Sequence, residues 1–473
     1  MPVSSGLVSF SPADGALLYQ FLRDCQARSP KTDINQIISF SQRINPIDLL
    51  SILAEIIHQD QLHFYWENLH KGEAVLGYGS TQLLTLNSGD RFRNSQDFIR
   101  EATKNIIQVG SFENGECNPR FFCNFTFFDS PENSFCFPGA TIFLPRFQIV
   151  KNKNEYFLIY NSVIDRNHDF QFLLEKALRE TQLIQKIGSK KSKKFREIDS
   201  HFSCHLHAHT SHRFRSTVIS ALESIAKKDL NKIVLADILD AISPEPFQIV
   251  KSLNNLRQQY PNCYVFSVSN GKGNYFIGAS PERLISLQNQ QLVTDALAGS
   301  VPRGKTASES AKFAAQLLSS EKERREHQAV IDFIIQQLQQ LNLSPHCSPL
   351  KILKLSNIQH LWTPIYARTP AQLHPLEIVA KLHPTPAVAG VPPQIACEQI
   401  RYYESFDRSL YAAPLGWVDC EGNGEFIVGI RSALIAGNRA RLYAGAGIVS
   451  GSNPDRELAE IQLKFQTLLK ALL

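Results

Sequence analysis

The sequence lacks the features that would place the chain in a membrane or an export pathway. No apolar run approaches the ~20 residues that a membrane-spanning helix requires. Residues 1–20 contain no lysine or arginine, which removes both the basic region of a signal peptide and the arginine-rich character of a transit peptide. From these absences we expect a soluble, cytoplasmic protein with no membrane partner.

Paired cysteine motifs and strong charge are also missing. Nine cysteines are present and none belongs to a C-x-x-C pair, so neither a zinc knuckle nor a thioredoxin-type site is indicated. The net charge is only +5, whereas nucleic-acid-binding proteins usually carry a larger and more clustered positive excess. We therefore expect no nucleic-acid partner. The absence of a repeat with a fixed period argues against a solenoid or a propeller.

The composition is that of a folded protein of enzyme size. The 473 residues are 43% hydrophobic and 20% charged, which argues against intrinsic disorder. Length alone suggests about three domains of ~150 residues, although a large sheet-rich enzyme can form one unit.

The first 200 residues carry weak structural signals. Short aromatic and β-branched runs predict strands over Thr141–Pro145 and Glu155–Tyr160, and helical spacing predicts a helix over Phe170–Ile187. A basic run, Lys190–Arg196, and a histidine-rich segment, His201–His209, follow. We interpret both as a surface junction rather than as a phosphate or metal site.

From Ser211 the pattern becomes regular. Asn453 and Pro454 predict the cap and first turn of a final helix that runs to Leu473. The other predicted helices are Phe214–Lys228, Pro246–Gln259 and a long helix over Ser310–Leu341 that is broken near its middle. The predicted strands are Lys232–Ala236, Cys263–Val268, Asn274–Gly278, Glu425–Ile430 and Ala440–Ala444.

Two of these helices carry carboxylates on their apolar faces. Glu326 lies on the inward face of one helix, and Glu457, Glu460 and Lys464 lie on the inward face of the last. A buried charge without a partner is very costly. An ion pair such as Glu460 with Lys464 would satisfy these groups, and so would a hard cation such as Mg²⁺. Spacing alone leaves both interpretations open.

Two further residues are candidates for proton transfer. Glu282 follows a predicted strand, directly after the turn-forming Pro281, and it could equally be a structural cap. Lys232 opens a strand of apolar residues, where desolvation can convert a lysine into a base. Such a lysine can also extend its amine to the surface.

Taken together, seven segments resemble the chorismate-utilising enzymes, which include isochorismate synthases, salicylate synthases, anthranilate synthase large subunits and aminodeoxychorismate synthases. Each motif alone is weak, and their occurrence in the family's order makes the resemblance specific. It covers the chain from Ser211 to Leu473. The segments are Lys232–Ala236, Gly278–Leu284, Ala296–Ser300, Ser320–His327, Leu382–Gly390, Leu442–Ile448 and the pair Glu457 and Glu460.

The resemblance implies an α+β fold with large antiparallel sheets packed face to face and helices outside. Residues 211–473 would form the chorismate-binding catalytic portion. Residues 1–210 would form a divergent N-terminal portion integrated into the same body, giving one large structural domain. We expect a monomer.

The resemblance also implies a role for each site residue. Lys232 would be the general base that activates water for attack at C2 of chorismate, and Glu282 would be the general acid that protonates the departing C4 hydroxyl. Glu326 and Glu460 would hold Mg²⁺, with Glu457 assisting through water. Arg431, expected in a strand over Ile427–Arg431, would bind the enolpyruvyl carboxylate. The full substrate-binding set would be His360, Ala387, Tyr411, Arg431, Gly445 and Lys464.

Two positions distinguish the members of the family. Aminating members carry Gln in place of Lys232 and depend on a glutaminase partner or domain, for which no segment fits, so Lys232 favours water as the nucleophile. Salicylate synthases tend to carry Thr in place of Ala387, and the pair Ala387 and Val388 resembles isochorismate synthases.

The sequence therefore favours a Mg²⁺-dependent isochorismate synthase that serves menaquinone or phylloquinone synthesis, or a salicylate or siderophore pathway. The enzymatic alternatives are a salicylate synthase and an aminating enzyme. The alternative without turnover is a chorismate-binding subunit, motivated by Asp237, where the family usually has Arg.

Overall fold

The computed structural model describes residues 36–473 except 58–59, 88, 111–116, 130–135, 165–169, 190–204, 209–210, 229 and 357. The basic run Lys190–Arg196 and residues 201–204 of the histidine-rich segment lie outside the described residues. Within the described residues, no helix is both long enough and apolar enough to cross a membrane.

The strands, numbered in chain order, form two large sheets. The first sheet has 13 strands within the described residues, in the spatial order β10 (His205–Ala208), β11 (Lys232–Ile242), β23 (Arg439–Val449), β22 (Ser432–Ala436), β13 (Asn274–Ser280), β12 (Tyr264–Asn270), β2 (Leu62–Asn68), β3 (Glu73–Tyr78), β8 (Phe147–Asn152), β9 (Glu155–Ile164), β1 (Gln36–Arg43) and β5 (Ile106–Gly110), with β19 (Gly390–Val391) beside β11.

The second sheet has 10 strands within the same part of the chain. Their order is β16 (His346–Cys347), β18 (Ile358–Arg368), β15 (Gln291–Pro302), β14 (Arg283–Gln288), β21 (Gly424–Val428), β20 (Pro414–Asp419), β6 (Arg120–Phe125), β7 (Ala140–Leu144) and β4 (Gln82–Leu86), with β17 (Lys351–Lys354) beside β18.

The helices are also numbered in chain order. They are α1 (Leu49–Ile56), α2 (Arg91–Lys104), α3 (Phe170–Ser189), α4 (Ser211–Ala226), α5 (Ile249–Gln259), α6 (Ala307–Ser319), α7 (Glu321–Gln340), α8 (Pro375–Leu382), α9 (Pro393–Tyr403) and α10 (Pro454–Leu472).

The core lies between the two sheets, whose inner faces are rich in aromatic side chains. Phe64 of β2 and Phe122 of β6 stack with their ring centroids 4.8 Å apart, and both side chains are fully buried. A Cβ atom at Gly77 of β3 would lie 2.1 Å from the Phe122 ring, so only glycine allows this approach between the sheets. The arrangement confirms the predicted α+β fold with large antiparallel sheets packed face to face.

Strands from residues before position 210 pair directly with strands from residues after it. In the first sheet β2 is antiparallel to β12, and in the second sheet β6 is antiparallel to β20. One pair departs from the antiparallel pattern, since β1 runs parallel to β5. Both sheets are therefore shared between residues before and after position 210.

Several predicted boundaries are confirmed. The long helix is broken at Ser320, whose hydroxyl accepts a hydrogen bond from the Glu323 backbone and so starts α7. Asn453 caps α10 by accepting from the backbone N–H groups of Asp455 and Arg456. The Asn453 cap could be predicted because it depends only on neighbouring residues.

Two predictions were wrong. Residues His205–Ala208, expected in a surface junction, form the edge strand β10 and pair with Leu239–Ile242 of β11. The strand expected to reach Ile430 or Arg431 ends at Val428, because the chain there leaves the second sheet and enters β22 of the first. Arg431 lies at this crossover with a left-handed φ of 51°.

Candidate active site

The chain passes from one sheet to the other between β13 and β14 and again between β21 and β22. A cavity lies where these two crossovers meet β11 and β23. We call it the central cavity. Val234, Gly447 and Glu282 are among its walls. It brings together nine of the eleven predicted site residues, namely Glu282, Glu326, His360, Ala387, Tyr411, Arg431, Gly445, Glu460 and Lys464.

Lys232 does not line the cavity itself, but it is hydrogen-bonded to Glu326, which does. Its Nζ atom donates to Glu326 Oε1 at 2.8 Å, and Lys232 is 3% exposed. In the antiparallel pairing of β11 with β23, Val234 lies opposite Gly447, on the same face of the sheet as Lys232. A Cβ atom at Gly447 would lie 3.1 Å from Glu326 Oε1 and 3.3 Å from Lys232 Cε. Glycine therefore leaves room for this ion pair.

Glu282 lies at the crossover from β13 of the first sheet to β14 of the second. Its backbone N–H donates to the Ser280 hydroxyl at 3.2 Å, and its carbonyl accepts from the Val428 N–H at 3.1 Å. Burial raises the pKa of the Glu282 carboxyl to about 8, with Lys232 acting against the rise and Asp295 adding to it. The side chain is therefore mostly protonated at neutral pH, as a general acid must be.

Two helices bring four carboxylates to this region, and two of them, Glu326 and Glu460, line the cavity. Glu323 and Glu326 belong to α7, and Glu457 and Glu460 belong to α10. Burial, followed by repulsion from Glu326, raises the pKa of Glu323. Burial, followed by repulsion from Glu460, raises the pKa of Glu457. Glu460 pairs with Lys464 at 2.7 Å, which is the ion pair that spacing allowed.

The donor chemistry of this cluster fits a hard cation, since Mg²⁺ binds carboxylate oxygens and keeps several waters. Burial is the main cause of the raised pKa values of Glu323 and Glu457, and a cation would relieve the repulsion between carboxylates that adds to it. In the described part of the chain, no three acidic, histidine or cysteine side chains converge closely enough to form a metal site by themselves. Lys232 and Lys464 instead hold an oxygen each of Glu326 and Glu460.

Cationic Arg431 and neutral His360 are neighbours in the lining of the cavity. Arg431 Nη2 lies 3.3 Å from His360 Nε2. Burial, together with the charges of Arg431 and Lys464, lowers the pKa of His360 to about 3, so the imidazole is neutral and accepts this hydrogen bond. The Nη1 atom of Arg431 is buried without a hydrogen-bond partner among the described residues. A carboxylate is the natural partner for such a group.

Tyr411 and Gly445 also line the cavity. A Cβ atom at Gly445 would lie 2.8 Å from the Tyr411 hydroxyl, so the glycine permits their contact. The Tyr411 ring stacks on Tyr443 at 5.1 Å. The Gly445 carbonyl accepts a hydrogen bond from Lys464 at 2.7 Å, and Ala387 is a further lining residue.

Asp237 does not share the face of β11 that carries the site. It pairs with Ala444 of β23 in an unbroken register, and side chains alternate between the faces of a strand. Because Lys232 and Val234 point to the cavity, Asp237 points away from it. Its Oδ1 atom accepts from the N–H of Ile238 at 2.9 Å.

Sequence reasoning missed three residues near the site. Glu323 was detectable, because it precedes Glu326 by three residues on one helical face. Asp295 of β15 holds Arg283 of β14, the neighbour of Glu282, through bonds of 3.0 and 3.1 Å between two adjacent strands. Arg408 is fully buried behind the cavity, and only its spacing of four residues from Glu404 hinted at a pair.

Two large sheets packed face to face, with a carboxylate-lined cavity beside them, are the features of an enzyme that binds a small molecule. Comparison with known proteins identifies the family. The family described as chorismate binding enzyme matches residues 20–473, and the chain belongs to this family. The predicted family resemblance is thereby confirmed, and the match extends into the N-terminal portion.

Individual relatives are isochorismate synthases. The chain is 29% identical to isochorismate synthase MenF of Bacillus subtilis over 453 residues, which cover 92% of this chain and 93% of that protein. It is 39% identical to the salicylate biosynthesis isochorismate synthase of Pseudomonas aeruginosa over 265 residues, 55% of this chain and 54% of that protein. The solved structure of MenF, the menaquinone-specific isochorismate synthase from Escherichia coli, aligns with a TM-score of 0.76 at 26% identity, covering 97% of this chain and 99% of that one.

Proposed function

We propose that this protein is an isochorismate synthase, which isomerises chorismate to isochorismate. The observation that carries the proposal is the meeting of Glu282, Glu326 and Arg431 at one cavity, with Lys232 hydrogen-bonded to Glu326. Lys232 is then a candidate base, Glu282 a protonated acid and Arg431 a carboxylate-binding cation. The names of the relatives support the same reaction.

Lys232 acts as the general base in this proposal. Its amine takes a proton from water as that water attacks C2 of chorismate. The 2.8 Å hydrogen bond to Glu326 fixes the position of the nitrogen, and the Gly447 backbone passes close to both side chains.

Glu282 acts as the general acid. Its carboxyl, protonated at neutral pH because of burial, gives a proton to the C4 hydroxyl, which leaves as water while the ring double bonds shift. One water enters at C2 and one leaves from C4, so the net change is an isomerisation. The proton gained by Lys232 and the proton lost by Glu282 balance over the cycle.

Arg431 binds the enolpyruvyl carboxylate with its unpartnered Nη1 atom, and neutral His360 holds the guanidinium from the other side. Mg²⁺, when bound by Glu326 and Glu460 with Glu457 assisting through water, would neutralise the ring carboxylate. The substrate would also be bordered by Tyr411, Gly445, Ala387 and Lys464. The dianionic substrate would thus lie between two positive charges, Arg431 and the bound Mg²⁺.

The route that uses the product is proposed from the extent of the similarity. The match to MenF extends over nearly the whole of both chains, whereas the match to the salicylate enzyme covers about half of each. The solved relative is described as menaquinone-specific. We therefore favour menaquinone synthesis over a salicylate or siderophore pathway.

Product analysis tests this function. Purified protein is incubated with chorismate and Mg²⁺, with and without ammonium, and the products are separated by chromatography. We expect isochorismate without pyruvate, independent of ammonium and lost on chelation. Salicylate with pyruvate would identify a salicylate synthase, and an ammonium-dependent amino product would identify an aminating enzyme. Binding of chorismate without any product would leave only the binding-subunit alternative.

A further inference from the structure

Arg408 is a large buried side chain that stands behind the wall of the central cavity without lining it. It is 0% exposed. Its guanidinium donates to both oxygens of the Glu404 carboxylate, from Nε at 2.8 Å and from Nη2 at 2.6 Å. Because desolvation offsets most of the attraction within a buried ion pair, the pair alone gives little reason for an arginine here.

The remaining contacts of Arg408 connect two segments of the cavity wall. Its Nη1 atom donates to the Val388 carbonyl at 2.9 Å, and its Nη2 atom donates to the Val234 carbonyl at 2.8 Å. Both valines line the cavity. Val234 lies on β11, two residues from Lys232, and Val388 follows Ala387. The Val234 N–H also donates to the Ala389 carbonyl at 2.7 Å, so the rigid guanidinium adds side-chain bonds that fix the strand that carries the base against the segment beside it.

The same pair holds two more parts of the wall. The Glu404 carboxylate accepts a hydrogen bond from the Ala236 N–H of β11 at 2.8 Å. The Arg408 carbonyl accepts one from the Tyr411 N–H at 2.7 Å, and its guanidinium carbon lies 5.8 Å from the Tyr411 ring centroid. Each bond of the pair thus ends on an element that borders the cavity.

We propose that Arg408 is a positioning residue, which fixes the Ala387–Val388 segment and Tyr411 relative to Lys232 and so sets the distance between the base and the bound substrate. This inference rests on the proposed function, because it concerns the placement of the proposed base. A displacement of ~1 Å in a reacting group can cost ~100-fold in rate. Lysine cannot replace arginine here, since a single ammonium cannot reproduce the planar fork.

The test compares Arg408→Lys with a matched control. Arg257→Lys alters another partly buried ion pair, in which Arg257 of α5 donates to Asp48 and Glu67. Arg257 does not line the central cavity. Melting temperature, kcat and KM for chorismate are measured for both variants, at a temperature where each is fully folded. Glu404→Asp, which keeps both charges but draws the carboxylate back by one methylene, provides a milder second variant.

We expect Arg408→Lys and Glu404→Asp to lower kcat by ~10- to 100-fold with little change in KM, whereas Arg257→Lys lowers the melting temperature and leaves kcat unchanged. A wild-type kcat in Glu404→Asp, or in a folded Arg408→Lys, would overturn the inference and leave Arg408 a purely structural residue. The product formed by the wild type separates the proposed function from the proposed role of Arg408. If the wild type forms a product other than isochorismate, the proposed function is wrong, but the ratio of kcat values still decides the role of Arg408. If it forms no product, both claims fall.

Discussion

Replacing Glu282 with glutamine tests whether this carboxyl is protonated in the folded protein. Burial raises the Glu282 pKa from its ordinary value of 4.5 to about 8. The folded state therefore holds this proton more tightly than the unfolded state, and the contribution of Glu282 to stability falls as pH rises between these two values. At ~1.4 kcal/mol per pKa unit, the loss amounts to on the order of 5 kcal/mol above the folded pKa.

Glutamine has nearly the same shape and cannot ionise. Relative to the wild type, Glu282→Gln should therefore gain stability as pH rises, and the difference should level off above about pH 8. Denaturant unfolding of both proteins at a series of pH values measures it. If the two stability curves run parallel, the carboxyl is ionised in the folded state, and the reasoning from burial is refuted.

The same variant tests the role of Glu282 in the reaction. Neutral glutamine replaces a neutral carboxyl, so chorismate binding should change little. Loss of the transferable proton should lower kcat by ~10²- to 10⁴-fold. Activity of the wild type should also fall as pH rises through about 8, because the acid is then ionised. A variant that turns over at the wild-type rate would remove Glu282 as the acid.

Three further changes probe the rest of the site. Gly447→Ala places a methyl group 3.1 Å from Glu326 Oε1, so kcat should fall in a folded protein, and steady-state kinetics that match the wild type would contradict the tight packing. Arg431→Lys removes the planar fork, and loss of charged hydrogen bonds worth ~1.5–3 kcal/mol should raise KM for chorismate by ten-fold or more; an unchanged KM would mean that the carboxylate binds elsewhere. Glu460→Ala should raise the Mg²⁺ concentration needed for half-maximal activity, and an identical Mg²⁺ titration would show that Glu460 holds no metal.

The parts of the fold that could be predicted from sequence are those fixed by neighbouring residues. The Asn453 cap of α10, the break at Ser320 and the buried strand that begins at Lys232 are all local features, and all three are confirmed. The apolar stripe also placed Glu457 on an inward face, where it is 7% exposed. Helical period was sufficient for these residues.

The parts that could not be predicted depend on pairing across long distances. The pairing of His205–Ala208 with β11 is set by a partner more than thirty residues away in the chain, and the strand is only four residues long, which is too short for its alternation to predict a strand. The crossover at Arg431 exists because two sheets have to be joined there, which a run of apolar residues does not reveal. The contacts of Arg408 with Val234 and Val388 likewise join segments that only the folded chain brings together.

The origin of the new hydroxyl group tests the central claim most directly. When the purified protein converts chorismate in water labelled with heavy oxygen, we expect isochorismate that carries one labelled oxygen at C2, because Lys232 activates solvent water. Mass spectrometry of the product measures the label, and Lys232→Gln should form no labelled isochorismate. Unlabelled isochorismate from the wild type would show that the hydroxyl is moved within the substrate, and it would contradict the assignment of Lys232 as the base that activates water.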